Sequence, residues 1–256
     1  MRAPRPASGH RILVTGGASG LGAALVRALA AAGHAVDFTY RASVAPAEAL
    51  LAELRDRHPG TTFAAESLDL ADRAALDAFC EAADARGYYG LVHNAGQSYD
   101  ALAAMLDQDR AEALMQVNFF SLTRLAKALV RGMIRARAGR IVAIGSVAAL
   151  RANAGNAAYA ATKGALIAYC RTLAIESAKR GVTVNVIAPG FVDTPMLAAY
   201  AAHRAGMERQ IPTGRFAEPA EVAALAAFLM EAPAAYITGA VLPVDGGLTA
   251  MMGVHR

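Results

Sequence analysis

The sequence of 256 residues predicts an α/β protein built on a doubly wound, mainly parallel sheet with helices on both faces. Short apolar runs alternate with longer segments of helical periodicity, which is typical of parallel strands joined by helical crossovers. The short runs are almost continuously apolar, as strands covered on both faces must be. No linker, repeat or low-complexity segment interrupts the alternation. We therefore expect a single domain over residues 11–256, preceded by a loose tail over residues 1–10.

The predicted strands are apolar runs that end at turn-forming residues, over 11–15, 35–39, 61–66, 89–93, 140–144, 182–187 and 240–244. The predicted helices carry apolar residues at helical spacing, over 20–32, 45–57, 71–86, 107–137, 156–179, 195–207 and 219–230. In the first helix Leu21, Leu25 and Leu29 share one face, and Gly33 follows as a stop signal. Right-handed crossovers then bring the carboxyl ends of the strands to one edge, where ligands bind.

Composition and charge exclude several classes of protein. The net charge of +4 is modest and the arginines carry no aromatic interleaving, so we expect no nucleic-acid partner. No apolar run is long enough to cross a bilayer, and residues 1–10 lack the apolar core of a secretory signal. Cys80 and Cys170 are far apart in helical patterns, which favours two free thiols in the cytoplasm over a disulfide or a metal site.

A glycine-rich turn follows the first predicted strand and opens the first helix. It runs from Thr15 to Gly22 as T-G-G-A-S-G-L-G. Glycines at 16, 20 and 22 would let the backbone approach a pyrophosphate, and the helix would direct free N–H groups at the phosphates. An ordinary tight turn is the alternative, but the strand-turn-helix context favours a dinucleotide site.

Three polar side chains surround the end of the fifth predicted strand. Ser146 closes the apolar run, and Tyr159 and Lys163 are one helical turn apart in the next helix, so both lie on one face. A hydroxyl, a phenol and an ammonium across a cleft suit proton transfer to or from an oxygen. The alternative is a half-buried aromatic residue and a strand-end cap.

These motifs together make the chain resemble the short-chain dehydrogenase/reductase family, whose members are NAD(P)(H)-dependent oxidoreductases with a Rossmann fold. The resemblance spans nearly the whole chain. The other family motifs that the chain matches are the N-A-G after the fourth strand, the helix asparagine Asn118, and the P-G turn with its nearby threonine. In this sequence these are Asn94, Ala95 and Gly96, then Asn118, then Pro189 and Gly190 with Thr194.

The resemblance implies a role for each of four residues in ketone reduction. Tyr159 would be the general acid that protonates the carbonyl oxygen, and Ser146 would hydrogen-bond and orient that oxygen. Lys163 would bind the nicotinamide ribose and bias the phenol electrostatically. Asn118 would hold a water that passes protons to Lys163.

The resemblance also implies a set of cofactor-binding residues and a preference for NADP(H), with NAD(H) as the alternative. The end of the second strand lacks the carboxylate typical of NAD binding and offers Arg41, which suits a 2′-phosphate. Asp37 would compete only if that strand ended early, and Ser19 stands where many NADP-dependent relatives have a basic residue. Asp69 matches an adenine contact, with a helix N-cap as the equal alternative. The expected cofactor-binding residues are Gly16, Ser19, Gly20, Leu21, Gly22, Arg41, Asp69, Leu70, Asn94, Ala95, Gly96, Tyr159, Lys163, Pro189, Gly190, Val192 and Thr194.

Within the family, the chain is most similar to the 3-oxoacyl-[acyl-carrier-protein] reductases, in segments that include Gly139 to Val142 and Gly181 to Asn185. That similarity implies a 3-oxoacyl thioester substrate, with Arg137 and Arg180 beside the cleft to bind an acidic acyl carrier protein. The solvated end of a helix is the other interpretation of these arginines. Residues 191–215 would form an apolar substrate lid, which could also admit another ketone or a secondary alcohol. Family members usually form homotetramers; a nucleotide-binding protein without catalysis is the remote alternative.

Overall fold

The computed structural model describes residues 9–251, and these form a seven-stranded sheet in the order β3-β2-β1-β4-β5-β6-β7 with every neighbouring pair parallel. All seven predicted strands are therefore confirmed, although the third begins two residues later than expected. The strands are β1 (Arg11–Thr15), β2 (Ala35–Tyr40), β3 (Phe63–Ser67), β4 (Gly90–His93), β5 (Gly139–Ile144), β6 (Val182–Pro189) and β7 (Val241–Val244).

The helices cover both faces of the sheet and divide the core into two apolar clusters. One cluster lies under α1, α2 and α8, and the other lies under α3, α5 and α6. Leu25 and Leu29 of α1 are completely buried, and burial of each such side chain stabilises the fold by about 1.5–3 kcal/mol. The helices are α1 (Gly20–Ala31), α2 (Val44–Arg57), α3 (Arg73–Ala85), α4 (Gln108–Met115), α5 (Ser121–Ala136), α6 (Ala157–Ala178), α7 (Arg204–Glu208) and α8 (Pro219–Met230).

Two predicted helices differ from the structure. The segment 107–137 is not one α-helix, because a π-helical turn over Gln116–Phe120 separates α4 from α5. The segment 195–207 is a 3₁₀-helix, Pro195–His203, that continues into the short helix α7. The apolar residues of this segment are not concentrated on one face, so the sequence gives no strong preference for a regular α-helix.

The order in which strands are added to the sheet reverses between β1 and β4, which are neighbours although two strands separate them in sequence. Connections from these two strands leave toward opposite sides, so a crevice opens at their carboxyl ends. Thr15 and His93 are paired in register at this point. The fold thus brings the glycine-rich turn after β1 next to the Asn94 segment after β4.

The predicted tail lies mostly outside the described residues. Its last residue, His10, contacts the domain: the imidazole stacks on the Tyr89 ring at 3.7 Å between centroids, and its carbonyl accepts a hydrogen bond from Ala35 N–H. Within residues 9–251 no helix has the length and apolar character needed to cross a bilayer.

Candidate active site

The glycine-rich turn packs so tightly that side chains are excluded at several positions. A Cβ atom on Gly22 would lie 1.8 Å from the carbonyl oxygen of Gly16, because the first turn of α1 rests directly on the loop. Gly16 and Gly20 have φ values of 66° and 50°, which residues with a Cβ rarely adopt. The loop is thereby held as a bare backbone surface between β1 and α1.

The amino end of α1 has the features that bind phosphates. Ser19 precedes the helix in an extended conformation, and its side chain makes no capping hydrogen bond to the helix. The first N–H groups of α1, including that of Leu21, therefore point outward without a side-chain partner from Ser19. This cradle fits the pyrophosphate of a dinucleotide.

Thr15 and Asn94 join the glycine-rich turn to the segment after β4. The Thr15 hydroxyl accepts hydrogen bonds from the N–H groups of Asn94 and Ala95 at 3.1 and 3.0 Å. The Asn94 amide donates to the carbonyl oxygens of Thr15 and Gly16 at 3.2 and 3.0 Å. Asn94 and Ala95 thus hold the start of the glycine-rich turn through these hydrogen bonds.

The structure brings Ser146, Tyr159 and Lys163 together at the carboxyl end of β5. Ser146 follows the strand, and its hydroxyl accepts a hydrogen bond from Ala148 N–H at 3.1 Å. Tyr159 and Lys163 lie on one face of α6, with Lys163 Nζ 5.7 Å from the centre of the Tyr159 ring. Lys163 Nζ donates to the carbonyl oxygen of Ile144 at 2.8 Å, so the strand end fixes the ammonium.

The environment changes the acidity of both titratable groups. Burial raises the pKa of the Tyr159 phenol, the Ser146 hydroxyl lowers it by hydrogen bonding, and the Asp100 carboxylate raises it again, for a net increase. Burial lowers the pKa of Lys163 to about 8, because a desolvated ammonium is costly. At neutral pH the site therefore holds a protonated phenol beside an ammonium.

Asn118 lies in the π-helical turn and is fully buried. Its side-chain oxygen accepts from Gln97 N–H at 2.8 Å. Its side-chain nitrogen donates to the Gln97 carbonyl at 2.9 Å and to the Thr162 hydroxyl at 3.1 Å. A Cβ on Gly96 would lie 3.3 Å from Asn118 Oδ1 and 3.5 Å from Lys163 Nζ, so the Gly96 backbone borders both groups.

The residues expected around the adenosine lie at the carboxyl ends of β2 and β3. Arg41 is exposed directly after β2, and the described residues place no carboxylate within ion-pair distance of it. Asp37 is excluded as a cofactor ligand, because β2 continues to Tyr40 and its carboxylate is bound by Arg11 and the Tyr88 phenol.

Asp69 does not cap a helix, since that position belongs to Asp72, the N-cap of α3. The Asp69 carboxylate accepts a hydrogen bond from Ala71 N–H at 2.9 Å, and the residue remains exposed. The adjacent Leu70 is buried, so its side chain contributes to the core and leaves only its backbone near the crevice.

The segment after β6 borders the glycine-rich turn. Pro189 ends β6, and Gly190 packs against Asp245, where a Cβ would lie 3.0 Å from the Asp245 Cα. Val192 is buried and pairs with Ala217. Thr194 approaches Gly20, whose added Cβ would lie 3.4 Å from the threonine Cβ. The start of the predicted lid therefore closes one side of the crevice.

The two arginines expected beside the cleft lie at the other edge of the sheet. Arg137 follows α5 in a left-handed conformation, Arg180 follows α6, and the Arg137 guanidinium donates to the Lys179 carbonyl at 3.4 Å. Both residues precede strands, so they lie at the amino edge of the sheet, whereas Ser146 lies at the carboxyl edge. The six residues of β5 put roughly 20 Å between them. The expectation that both flank the cleft of their own chain is wrong.

Sequence reasoning missed a group of polar residues that joins the lid to the site. The exposed Asp100 carboxylate accepts hydrogen bonds from the Asn156 amide at 2.6 Å and from the Tyr200 phenol. Asn156 caps α6 three residues before Tyr159, and Tyr200 belongs to the 3₁₀-helix of the lid. The only signal was a lone acidic residue in a small polar loop, and nothing in the sequence indicated its partners.

Comparison with known proteins identifies relatives over nearly the whole chain. A family model described as enoyl-(acyl carrier protein) reductase matches residues 16–249. The 3-oxoacyl-[acyl-carrier-protein] reductase of Salmonella typhimurium is 39% identical over 245 residues, covering 94% of this chain and 97% of the relative.

Two solved structures have the same fold. A short-chain dehydrogenase/reductase from Serratia marcescens is 34% identical with a TM-score of 0.88, covering 96% of this chain and 100% of the other. A protein from Beutenbergia cavernae, described as an NAD(P)-dependent gluconate 5-dehydrogenase with bound NADP, is 35% identical with a TM-score of 0.91. That comparison covers 97% of this chain and 100% of the other.

Proposed function

We propose that this chain, which belongs to the short-chain dehydrogenase/reductase family of oxidoreductases, uses NADPH to reduce a 3-oxoacyl thioester to the 3-hydroxyacyl thioester. The observation that carries the proposal is the convergence of Ser146, Tyr159 and Lys163 beside a glycine-rich turn shaped for a dinucleotide. The similarity to a 3-oxoacyl-[acyl-carrier-protein] reductase over 94% of the chain supports this substrate class.

NADPH, when bound, supplies the hydride that reduces the carbonyl carbon. As negative charge develops on the oxygen, the Tyr159 phenol donates its proton, and the Ser146 hydroxyl donates a hydrogen bond that fixes the oxygen. The raised pKa of Tyr159 keeps the proton on the phenol at neutral pH, which favours reduction over alcohol oxidation. Lys163 is held by the Ile144 carbonyl at the strand end. From there its ammonium would bind the ribose hydroxyls and stabilise the phenolate that forms.

A water on Asn118 would return the proton to Tyr159 through Lys163. The side-chain amide of Asn118 is already bonded to Gln97 and Thr162. The water would therefore have to bind the backbone of Asn118 instead of its side chain.

Arg41 is our basis for the NADPH preference, together with the NADP bound to the Beutenbergia cavernae relative. A guanidinium at the end of β2 can pair with the 2′-phosphate. We expect Arg41→Asp to raise KM for NADPH by at least about tenfold and to bring the two cofactors close to parity. Arg55→Asp, at an exposed position on α2, is the matched control. Equal KM values for NADPH and NADH in the unchanged protein would contradict the preference.

A sugar acid is the second candidate substrate, because one solved relative is described as a gluconate 5-dehydrogenase. Asp100 weighs against it. Its carboxylate lies near enough to Tyr159 to raise the pKa of that residue, and it would repel an anionic substrate. A thioester carries no charge near its keto group, so the same carboxylate is tolerated.

The deciding experiment follows NADPH absorbance with four substrates: acetoacetyl-CoA, acetoacetyl-acyl carrier protein, crotonyl-CoA and 5-ketogluconate. We expect turnover of the acetoacetyl thioesters and its loss, by about 100-fold or more, in Tyr159→Phe. Crotonyl-CoA tests the activity in the family model's description, the reduction of an enoyl thioester. Exclusive turnover of crotonyl-CoA or the keto acid would refute the proposed reaction while leaving the family intact.

Acyl carrier protein is proposed as a partner through Arg137 and Arg180 of a second copy of the chain, because these residues lie too far from their own cleft. We also propose a homotetramer. Large apolar side chains are exposed at Phe120 in the π-helical turn, Ile175 on α6, Phe228 on α8 and Tyr236 before β7. Sedimentation as a monomer at micromolar concentration would contradict both proposals.

We place the enzyme in the cytoplasm, where its two buried cysteines would stay as the free thiols found here.

The docking proposal has its own test. Replacing Arg137 and Arg180 by alanine should raise KM for acetoacetyl-acyl carrier protein and leave KM for acetoacetyl-CoA unchanged. The control replaces the exposed Arg55 and Arg57 of α2. Equal changes for the two thioesters would refute docking at these arginines.

A further inference from the structure

His93 is a buried titratable residue to which the mechanism above assigns no role. It is the last residue of β4 and is only 1% exposed. Its ring lies between the Thr15 hydroxyl at the end of β1 and the Ser121 hydroxyl at the start of α5. These two hydroxyls border two parts of the candidate site, because Thr15 begins the glycine-rich turn and Ser121 directly follows the π-helical turn that carries Asn118.

The hydrogen bonds of the two hydroxyls determine the tautomer of His93. Thr15 Oγ1 already accepts from two N–H groups, those of Asn94 and Ala95, so its own proton points at His93 Nδ1, 3.2 Å away. The Ser121 hydroxyl donates to the Val117 carbonyl at 2.6 Å, so it can only accept from His93 Nε2, 3.4 Å away. The His93 ring is therefore uncharged, with no proton on Nδ1 and one proton on Nε2.

The surroundings keep the ring in this neutral form. Burial lowers the pKa of His93 to about 3, and the nearby positive charge of Lys163 on α6 contributes to the decrease. The ring also faces the two hydroxyls, which carry no charge, and the Asn118 backbone, whose hydrogen bond raises the pKa without reversing the decrease. A protonated ring would also lose its Nδ1 acceptor, so the Thr15 hydroxyl would have no buried partner for its proton.

We propose that His93 is a positioning residue whose neutral ring fixes the π-helical turn of Asn118 relative to the glycine-rich turn. The connection runs from the N–H groups of Asn94 and Ala95 through Thr15 and His93 to Ser121 and the Val117 carbonyl. The Val117 carbonyl lies in the π-helical turn next to Asn118. The effect on turnover rests on the proposed ketone reduction, but the hydrogen-bonded connection does not.

Two amide variants separate the two ends of this connection. Counted along covalent bonds, the Asn amide lies as far from the backbone as His Nδ1, and the Gln amide as far as His Nε2. His93→Asn should keep the bond to Thr15 and lose the bond to Ser121. His93→Gln should do the opposite. His58→Asn, at the half-exposed end of α2, is the matched control.

The kinetic test compares kcat and KM for NADPH in both variants. We expect His93→Asn to lower kcat by about tenfold or more with little change in KM, because a small displacement of the Asn118 turn misplaces the groups that act on the substrate. His93→Gln should mainly raise KM for NADPH, since Thr15 then loses its partner behind the glycine-rich turn. Ser121→Ala should add little to His93→Asn, because both remove one contact. A general loss of folded protein would lower the apparent kcat by a similar factor in both variants and leave KM for NADPH unchanged in both, and that result would overturn the proposal.

Two further measurements do not depend on turnover. In protein labelled with ¹⁵N at histidine, the His93 signals should show one protonated and one bare ring nitrogen from pH 5 to pH 9. A protonated ring at pH 6, or a proton at Nδ1, would overturn the assignment. In hydrogen exchange, His93→Asn should speed exchange of the amides of residues 116–121, and His93→Gln should not. If no thioester is turned over, the proposed function fails, and these exchange rates still decide the role of His93: unchanged exchange in His93→Asn would refute it.

Discussion

Gly22 offers a sharp test of the close packing that builds the cofactor cradle. In Gly22→Ala, the new Cβ would lie 1.8 Å from the carbonyl oxygen of Gly16 and 2.9 Å from Asn94 Nδ2. Ordinary contacts begin near 3.4 Å, so the Gly16 peptide must move by more than an ångström. That movement would break the 3.0 Å hydrogen bond from Asn94 and turn the N–H groups of α1 away from the phosphates.

The expected cost follows from three contributions. Overpacking costs about 1–3 kcal/mol and the lost hydrogen bond about 0.5–1.5 kcal/mol, whereas replacing glycine by alanine in a helix returns about 1 kcal/mol. A net loss of about 2 kcal/mol would lower the melting temperature by about 4–8 °C in a domain of this size. The dissociation constant for NADPH should rise at least about tenfold.

The assay combines thermal unfolding with fluorescence of the bound reduced nicotinamide, which no tryptophan obscures in this chain. Gly132→Ala in α5 is the matched control, because its added Cβ would meet only ordinary contacts at 3.8 Å or beyond. We expect that variant to be as stable as the parent or slightly more stable, with unchanged cofactor affinity. If Gly22→Ala unfolds within about 0.5 kcal/mol of the parent and binds NADPH equally well, the steric reasoning is refuted.

Three further predictions concern other buried groups and the lid. Tyr88→Phe removes a 2.6 Å hydrogen bond to the buried Asp37 and should destabilise the protein by about 1–3 kcal/mol in urea unfolding. The control Tyr236→Phe, at a fully exposed position, should change the free energy of unfolding by under about 0.5 kcal/mol. Burial lowers the pKa of Lys163 from 10.5 to about 8, so the unfolded chain binds more protons between these values and this group's contribution to stability becomes more favourable as pH rises. The unfolding free energy of the unchanged protein minus that of Lys163→Met should therefore increase by about 2–3 kcal/mol from pH 7.5 to pH 10. A constant difference would contradict the buried ammonium. Tyr200→Phe frees the lid from Asp100 and should speed hydrogen exchange over residues 195–208, and equal exchange rates would show that this contact does not hold the lid.

Much of the fold was predictable because its signals are local. An apolar strand followed by turn residues needs no distant partner to be recognised, and all seven strands lie where such runs occur. The segment 107–137 shows the limit. Hydrogen bonds in a π-helical turn span five residues instead of four, and the apolar pattern looks the same, so only the backbone hydrogen bond from Ser121 N–H to the Gln116 carbonyl reveals it.

The docking arginines show a second limit. Arg137 and Arg180 are close in space because two helices end side by side, which their similar places in the helix-strand repeat already suggested. Their place before β5 and β6 puts them at the amino edge of a parallel sheet, away from the cleft of the same chain, and the resemblance to carrier-protein reductases did not show this.

The sequence by itself determined the doubly wound sheet, the glycine-rich turn and the spacing of Tyr159 and Lys163, because each depends on residues that are near one another in the chain. The tertiary structure alone decided which polar groups are already bonded. Asp37 is taken by Arg11 and Tyr88, and the Asn118 amide by Gln97 and Thr162. Hydrogen bonds form between atoms about 3 Å apart, and residues up to 197 positions apart, such as His34 and Glu231, meet at that distance only after the sheet has folded.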